Sequence, residues 1–141
     1  MILVTGGAGF IGSNLVAALD ARGERVAICD RLGSEDKWRN IAKRDLEAII
    51  APEQLMDFLA HHGGEVEIIF HMGAISSTVE KDADLIIDNN FRLSRDLWLW
   101  CKDNDVRFIY ASSAATYGDG TQGFNDDESI EGLKKFQPLN A

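Results

Sequence analysis

The feature that most constrains this chain is its first dozen residues. Ile2-Leu3-Val4 is an uninterrupted apolar run, and it passes through Thr5 directly into glycines at positions 6, 9 and 12. A short apolar run of this kind suits a strand buried on both faces. The glycines allow a tight turn and a close approach of turn to helix that a Cβ would block. Ile11, Leu15, Val16, Ala18 and Leu19 then recur with helical period until Gly23 breaks the pattern. A strand, a glycine turn and a helix start in succession leave the first backbone N–H groups of the helix free to face an anion.

The alternation continues along the chain. Val26 to Cys29 reads as a second strand ending at Asp30, followed by a polar loop from Arg31 to about Arg39. A short third strand is expected between Asn40 and Ile50. Pro52 suits the first turn of a helix that runs through Leu55, Phe58 and Leu59 and ends at Gly63-Gly64. Val66 to Phe70 is a fourth strand running into His71-Met72-Gly73-Ala74. Asp82 to Asp103 is expected to be one long helix, with Leu85, Ile86, Phe91, Leu93, Leu97, Trp98 and Cys101 on its packing side. Trp98 and Trp100 cannot share a helix face, so only one of them belongs to the core. Val106 to Ala111 is a fifth strand ending in Ser112-Ser113, and Gly118 to Ala141 is polar and glycine-rich, with an acidic loop at Asp126-Asp127-Glu128. Strands alternating with helices specify an α/β fold: a Rossmann-type, doubly wound parallel sheet. No linker divides the chain, so residues 1–141 are read as a single dinucleotide-binding domain.

In this context the glycines acquire distinct roles. Gly6 makes the turn, Gly9 lets the backbone approach a pyrophosphate, and Gly12 allows helix and strand to pack closely. Asp30 ends the second strand roughly 20 residues further on, where an acidic residue grips the adenosine ribose. Asp30 suits the free 2′-hydroxyl of NAD, whereas Arg31 and Lys37 suit the 2′-phosphate of NADP. The residues alone leave both open.

Charge and composition exclude other classes. With 14 Lys and Arg against 23 Asp and Glu, the net charge is −9, which disfavours nucleic acid and anionic membrane surfaces. A phosphate is therefore held by local geometry. Cys29 and Cys101 have no metal-ligand spacing and read as buried reduced thiols of a cytoplasmic protein. No apolar stretch approaches the roughly 20 residues of a membrane span, and the apolar N-terminus is too short, and lacks the basic flank, for a secretory signal. No metal site is expected: His61-His62 reads as an exposed helix end. His71 reads as a packed strand-end residue rather than an acid or base.

Thr5-Gly6-Gly7-Ala8-Gly9-Phe10-Ile11-Gly12-Ser13-Asn14, His71-Met72-Gly73-Ala74, Asn89 and Ala111-Ser112-Ser113-Ala114-Ala115-Thr116-Tyr117-Gly118 resemble, in order, the extended short-chain dehydrogenase/reductases, the nucleotide-sugar epimerases and dehydratases. Within that group, Lys37-Trp38-Arg39-Asn40, the His71 to Thr78 run, Asp88-Asn89-Asn90 and the Ser-Ser-Ala-Ala-Thr-Tyr-Gly run resemble the ADP-L-glycero-D-manno-heptose 6-epimerase family. The resemblance implies an isomerase of lipopolysaccharide core biosynthesis that acts on an ADP-heptose with tightly held NADP. It implies that Phe10, Ile11, Asp30, Arg31, Lys37, Met72, Gly73, Ala74, Ile75, Ser76 and Asn89 lie against the cofactor. Ser113 would polarise the sugar oxygen, and Ser76 would lie near nicotinamide and substrate. The chain departs from the family at Met72, where glutamate is frequent. Near Pro52 a lysine is missing, and Arg31 stands in place of asparagine and restores a positive charge.

The catalytic Tyr-x-x-x-Lys pair of that group is absent. Tyr110 is followed four residues later by Ala114, and Tyr117 by Thr121; Tyr117 reads as a loop residue walling the site. The tyrosine is expected immediately after Pro138-Leu139-Asn140. The chain is thus expected to be the N-terminal portion of an enzyme that is homo-oligomeric at full length. It would be inactive alone, its sheet incomplete at the C-terminus and its substrate domain missing. Two other readings are another NAD(P)-dependent nucleotide-sugar epimerase or dehydratase, and a non-catalytic dinucleotide-binding sensor.

Overall fold

The computed structural model describes residues 1–77 and 79–138. Thr78 of the His71 run, and the Leu139-Asn140-Ala141 end beside which the catalytic tyrosine is expected, lie outside the described residues. The chain divides into two compact units, Met1–Ala111 and Ser112–Ala141.

The first unit is built on five parallel strands: β1 (Ile2–Thr5), β2 (Val26–Cys29), β3 (Ala48–Ile50), β4 (Ile68–His71) and β5 (Arg107–Tyr110). Their order is β3-β2-β1-β4-β5, with Leu3 in register with Ala27 on one side and Ile69 on the other. Alternation along β1 builds two cores. Ile2 and Val4 pack with Val16 and Leu19 of helix α1 (Phe10–Asp20) and with Ile28. Leu3 packs on the opposite face with Leu55 and Leu59 of α2 (Leu55–His62) and with Leu97 and Cys101 further along. Both faces of the central strands are covered, as parallel sheets require. Cys29 and Cys101 are free and buried. No helix among the described residues is long and apolar enough to cross a membrane.

Four expectations are corrected. The loop after β2 contains a 3-10 turn, Asp36–Asn40; Asn40 Nδ2 donates to the Ala8 carbonyl at 2.8 Å and ties it to the glycine turn. The fourth strand starts at Ile68, because Val66 N–H is still bonded to the Gly63 carbonyl in a preceding 3-10 turn. The long helix is not continuous: α3 (Ala83–Ile86) passes into a π-helical stretch, Ile87–Arg92, and then into α4 (Leu93–Asp103). A π turn takes in an extra residue and shifts the phase of the packing stripe. Consequently Leu97 and Cys101 are buried, while Leu85, Phe91 and Trp98 are exposed. Trp100, not Trp98, packs against the core.

The second unit holds a 3-10 turn, Ala114–Tyr117, and a short helix α5, Ile130–Leu133, where loop alone is expected. The Ser129 side chain caps α5 by accepting from Gly132 N–H at 3.0 Å.

Candidate functional site

In an open parallel sheet, ligands bind beyond the carboxyl ends of the strands where the strand order reverses. Here that point lies between β1 and β4, and a cleft of about 620 Å³ opens there. Gly6, Gly9, Phe10, Ile11, Gly12, Asp30, Arg31, Lys37, Met72, Gly73, Ala74, Ile75, Ser76 and Asn89 all line it. All of the residues that the sequence sets against a cofactor are therefore brought into one concavity. Thr5, Cys29, Pro52, Leu85 and Leu93 line it as well and were not singled out. Two of them carry a readable signal, since Leu85, Asn89 and Leu93 recur every four residues.

The floor is the glycine turn. Gly6 has φ +67°, and a Cβ there would lie 2.8 Å from the N and Cα of Gly73, so the turns after β1 and β4 touch backbone to backbone. Gly9 caps α1 with no side-chain acceptor, and the first turn of α1 carries no acidic residue. The helix start therefore presents its N–H groups to the cleft with no built-in anion to compete, which fits a pyrophosphate.

Asp30 is held more tightly than its sequence position suggests. Its Oδ2 accepts from Ala8 N–H at 2.8 Å and its Oδ1 from Lys37 Nζ at 2.5 Å, and its side chain is 7% exposed. It thus locks the glycine turn to β2. Beside it the Arg31 guanidinium pairs with Glu53 from the 3-10 turn Pro52–Gln54. Arg31 and Glu53 are more than half exposed. A pair of this kind is worth about 0–1 kcal/mol, so a phosphate can displace Glu53. Burial pushes the Cys29 thiol up to about 12, with the Asp30 charge adding to the effect, so this cleft thiol is not a nucleophile at neutral pH.

On the β4 side a chain of hydrogen bonds fixes the loop from Met72 to Ser76. Gly73 N–H donates to Thr5 Oγ1 at 3.1 Å. Because Ser94 Oγ gives its proton to the Asn90 carbonyl and so accepts from His71 Nε2, the Thr5 hydroxyl donates to His71 Nδ1, 2.6 Å away. With Nδ1 accepting, the neutral ring carries its proton on Nε2, which faces Ser94 Oγ at 2.8 Å; Ser94 in turn donates to the Asn90 carbonyl at 2.9 Å. His71 is 1% exposed, and burial lowers its pKa from 6.5 to about 4. It is a packed neutral imidazole, stacked on Phe108 and Tyr110.

Ser113 lies in the second unit. Its Oγ accepts from Ala115 N–H at 3.2 Å, and it lines a cavity of about 300 Å³ with Ser112, Thr116, Tyr117, Asp126 and Asp127. Tyr117 packs edge-on against Phe136 and tilted against Phe124.

Comparison with known proteins gives the class. The NAD dependent epimerase/dehydratase family matches residues 2–141, and the chain belongs to that family. It is 48% identical over 143 residues to the ADP-L-glycero-D-manno-heptose-6-epimerase of Fusobacterium nucleatum subsp. nucleatum, covering 99% of this chain and 43% of that protein. It is 43% identical over 143 residues to the protein of the same name from Nitratidesulfovibrio vulgaris, covering 99% and 44%. The chain thus spans less than half the length of the curated relatives it matches. Among solved structures, UDP-glucuronic acid 4-epimerase from Bacillus cereus in complex with NAD matches with a TM-score of 0.74 at 28% identity, over 89% of this chain and 43% of that one. UDP-galactose 4-epimerase matches with a TM-score of 0.64 at 30% identity, over 85% and 40%.

Proposed function

We propose that the chain is the cofactor-binding part of a nucleotide-sugar epimerase that inverts C6 of an ADP-heptose, a step of lipopolysaccharide core biosynthesis, by transient oxidation in the cytoplasm. The observation that carries this is the single cleft lined by every residue set against a cofactor. Residues 1–141 then form one truncated cofactor domain, whose substrate domain belongs to the remainder of the protein. Exposed Ile87, Phe91 and Trp98 support self-association at full length.

The cofactor in this reading is NADP. An NAD-selective site grips the ribose diol with an accessible carboxylate, whereas the Asp30 side chain is 7% exposed and turned toward Ala8 N–H and Lys37 Nζ. The adenosine end of the cleft adds two cations, Arg31 in a more than half-exposed pair with Glu53 and Lys37 bonded to Asp30. A nicotinamide held in the cleft would supply reversible hydride acceptance, the chemistry that inversion through transient oxidation requires. The chain's own residues bind and orient: the start of α1 receives the pyrophosphate, Arg31 and Lys37 the 2′-phosphate, and the Met72 to Ser76 loop walls the reacting end. In this reading Ser113 polarises the sugar oxygen by donating a hydrogen bond to it, its own proton staying on Oγ.

The test is catalytic. Full-length protein carrying this chain should interconvert the C6 epimers of ADP-heptose with no added oxidant, followed by proton NMR, and leave UDP-glucuronate and UDP-galactose unchanged. Turnover of either UDP-sugar in preference to ADP-heptose would overturn the substrate assignment.

A further inference from the structure

The π-helical stretch puts two adjacent asparagines to different uses. Asn89 lines the cleft and its Nδ2 donates back to the Leu85 carbonyl at 2.8 Å. Asn90 reaches across to the loop after β4. Its Oδ1 accepts from Ile75 N–H at 2.8 Å and its Nδ2 donates to the Ile75 carbonyl at 2.9 Å. One carboxamide thus satisfies both backbone groups of one loop residue, as a neighbouring strand would.

The clamp is anchored. The Asn90 carbonyl is the end point of the Thr5–His71–Ser94 chain, whose other end holds Gly73 N–H. The loop is therefore pinned at Gly73 by Thr5 and at Ile75 by Asn90, and the two pins are joined through the buried imidazole of His71. Between and beside them stand Ala74 and Ser76, both exposed and both lining the cleft. Among the described residues the solvent side of the loop is open: Ala74, Ser76 and Ser77 are all exposed. π turns are rare and recur at functional sites, and here the turn lies where the helix wall faces this loop.

We propose that Asn90 is a positioning residue for the nicotinamide half of the cofactor, acting through the backbone of Ile75 to set the wall formed by Ala74 to Ser76. This rests on the dinucleotide reading of the cleft. The adenosine half lies toward Asp30, Arg31 and Lys37, beyond the glycine turn, and Asn90 makes no contact there. Asn90 therefore acts on one half of the ligand only.

The experiment compares two probes on full-length protein carrying this chain and on its variants: NADPH, which spans the cleft, and adenosine 2′,5′-bisphosphate, which fills only the adenosine half. Asn90→Ala removes two hydrogen bonds to the loop and should weaken NADPH about tenfold, measured by its fluorescence, while the bisphosphate affinity stays within about twofold. Asn90→Asp keeps the acceptor for Ile75 N–H but loses the donor, and it should show the same split should the alanine variant not fold. A variant that loses both probes alike, or neither, overturns the assignment to Asn90. A wild-type chain that binds neither probe overturns the dinucleotide reading itself.

Discussion

Gly12→Ala is expected to abolish dinucleotide binding and to destabilise the fold by about 3 kcal/mol, at the upper end of overpacking costs. A Cβ at Gly12 would lie far inside van der Waals contact distance of the Gly6 carbonyl oxygen and 2.8 Å from its carbon. That carbonyl is not free to retreat, because it accepts from Gly9 N–H at 3.0 Å and so closes the turn. The obstacle is backbone, not a flexible side chain, so relief requires the turn or α1 to move. Movement of either displaces the N–H groups that would face a pyrophosphate. Gly64→Ala is the control, since a Cβ there meets nothing within 4 Å. Urea midpoints and NADPH titration should separate the two. A Gly12→Ala chain with wild-type midpoint and affinity would contradict the glycine-turn account.

Acidification should cost the first unit about 2 kcal/mol between pH 6.5 and pH 5, through His71 alone. In the unfolded chain the imidazole takes a proton near 6.5, but in the folded chain burial holds its pKa at about 4. The unfolded state therefore binds more protons across this interval. The stability that the neutral ring contributes is complete above pH 6.5 and is lost as pH falls toward 4, at about 1.4 kcal/mol per unit. The Glu47 carboxylate beside Arg25 and the Glu67 carboxylate beside the N-terminal ammonium are held below the usual carboxylate range by those hydrogen bonds. Urea midpoints measured at pH 5 and pH 6.5 should differ for the wild type. For His71→Gln they should be lower at neutral pH and much flatter, because glutamine does not titrate. A wild-type midpoint independent of pH over that interval would contradict a buried neutral His71.

What the sequence made legible is what depends on local pattern. The glycine spacing, the apolar runs and the acidic end of β2 are each short-range signals, and they yielded the strands and Gly6, Gly9, Gly12 and Asp30 of the cleft, with Arg31 and Lys37 beside them; Phe10, Ile11, Met72 to Ser76 and Asn89 came from the family resemblance. The contacts that were missed join residues far apart in the chain. Nothing around Asp30 announces that its carboxylate takes the Ala8 N–H, and nothing around Asn90 announces Ile75. Such bonds are satisfied by tertiary placement and leave no periodicity. The π stretch was hidden for a related reason. Ile87 to Arg92 contains no glycine or proline to mark a break, and the extra residue in its turn shows only where Leu97 and Cys101 are buried and Phe91 and Trp98 are not. Arg31 was legible as a cation, but its pairing with Glu53 depends on the turn that Pro52 opens.

The account stands or falls on where a dinucleotide sits and which one it is. The direct measurement is a backbone-amide NMR titration of the isotopically labelled chain with NADP and, separately, NAD. The account predicts shifts concentrated at Gly9 to Gly12, at Arg31 and Lys37, and at Gly73 to Ser76, with Ile49 and His61 on the β3–α2 face unmoved. It also predicts that NADP saturates at lower concentration than NAD. Shifts confined to another surface, no shifts at all, or tighter binding of NAD would contradict it.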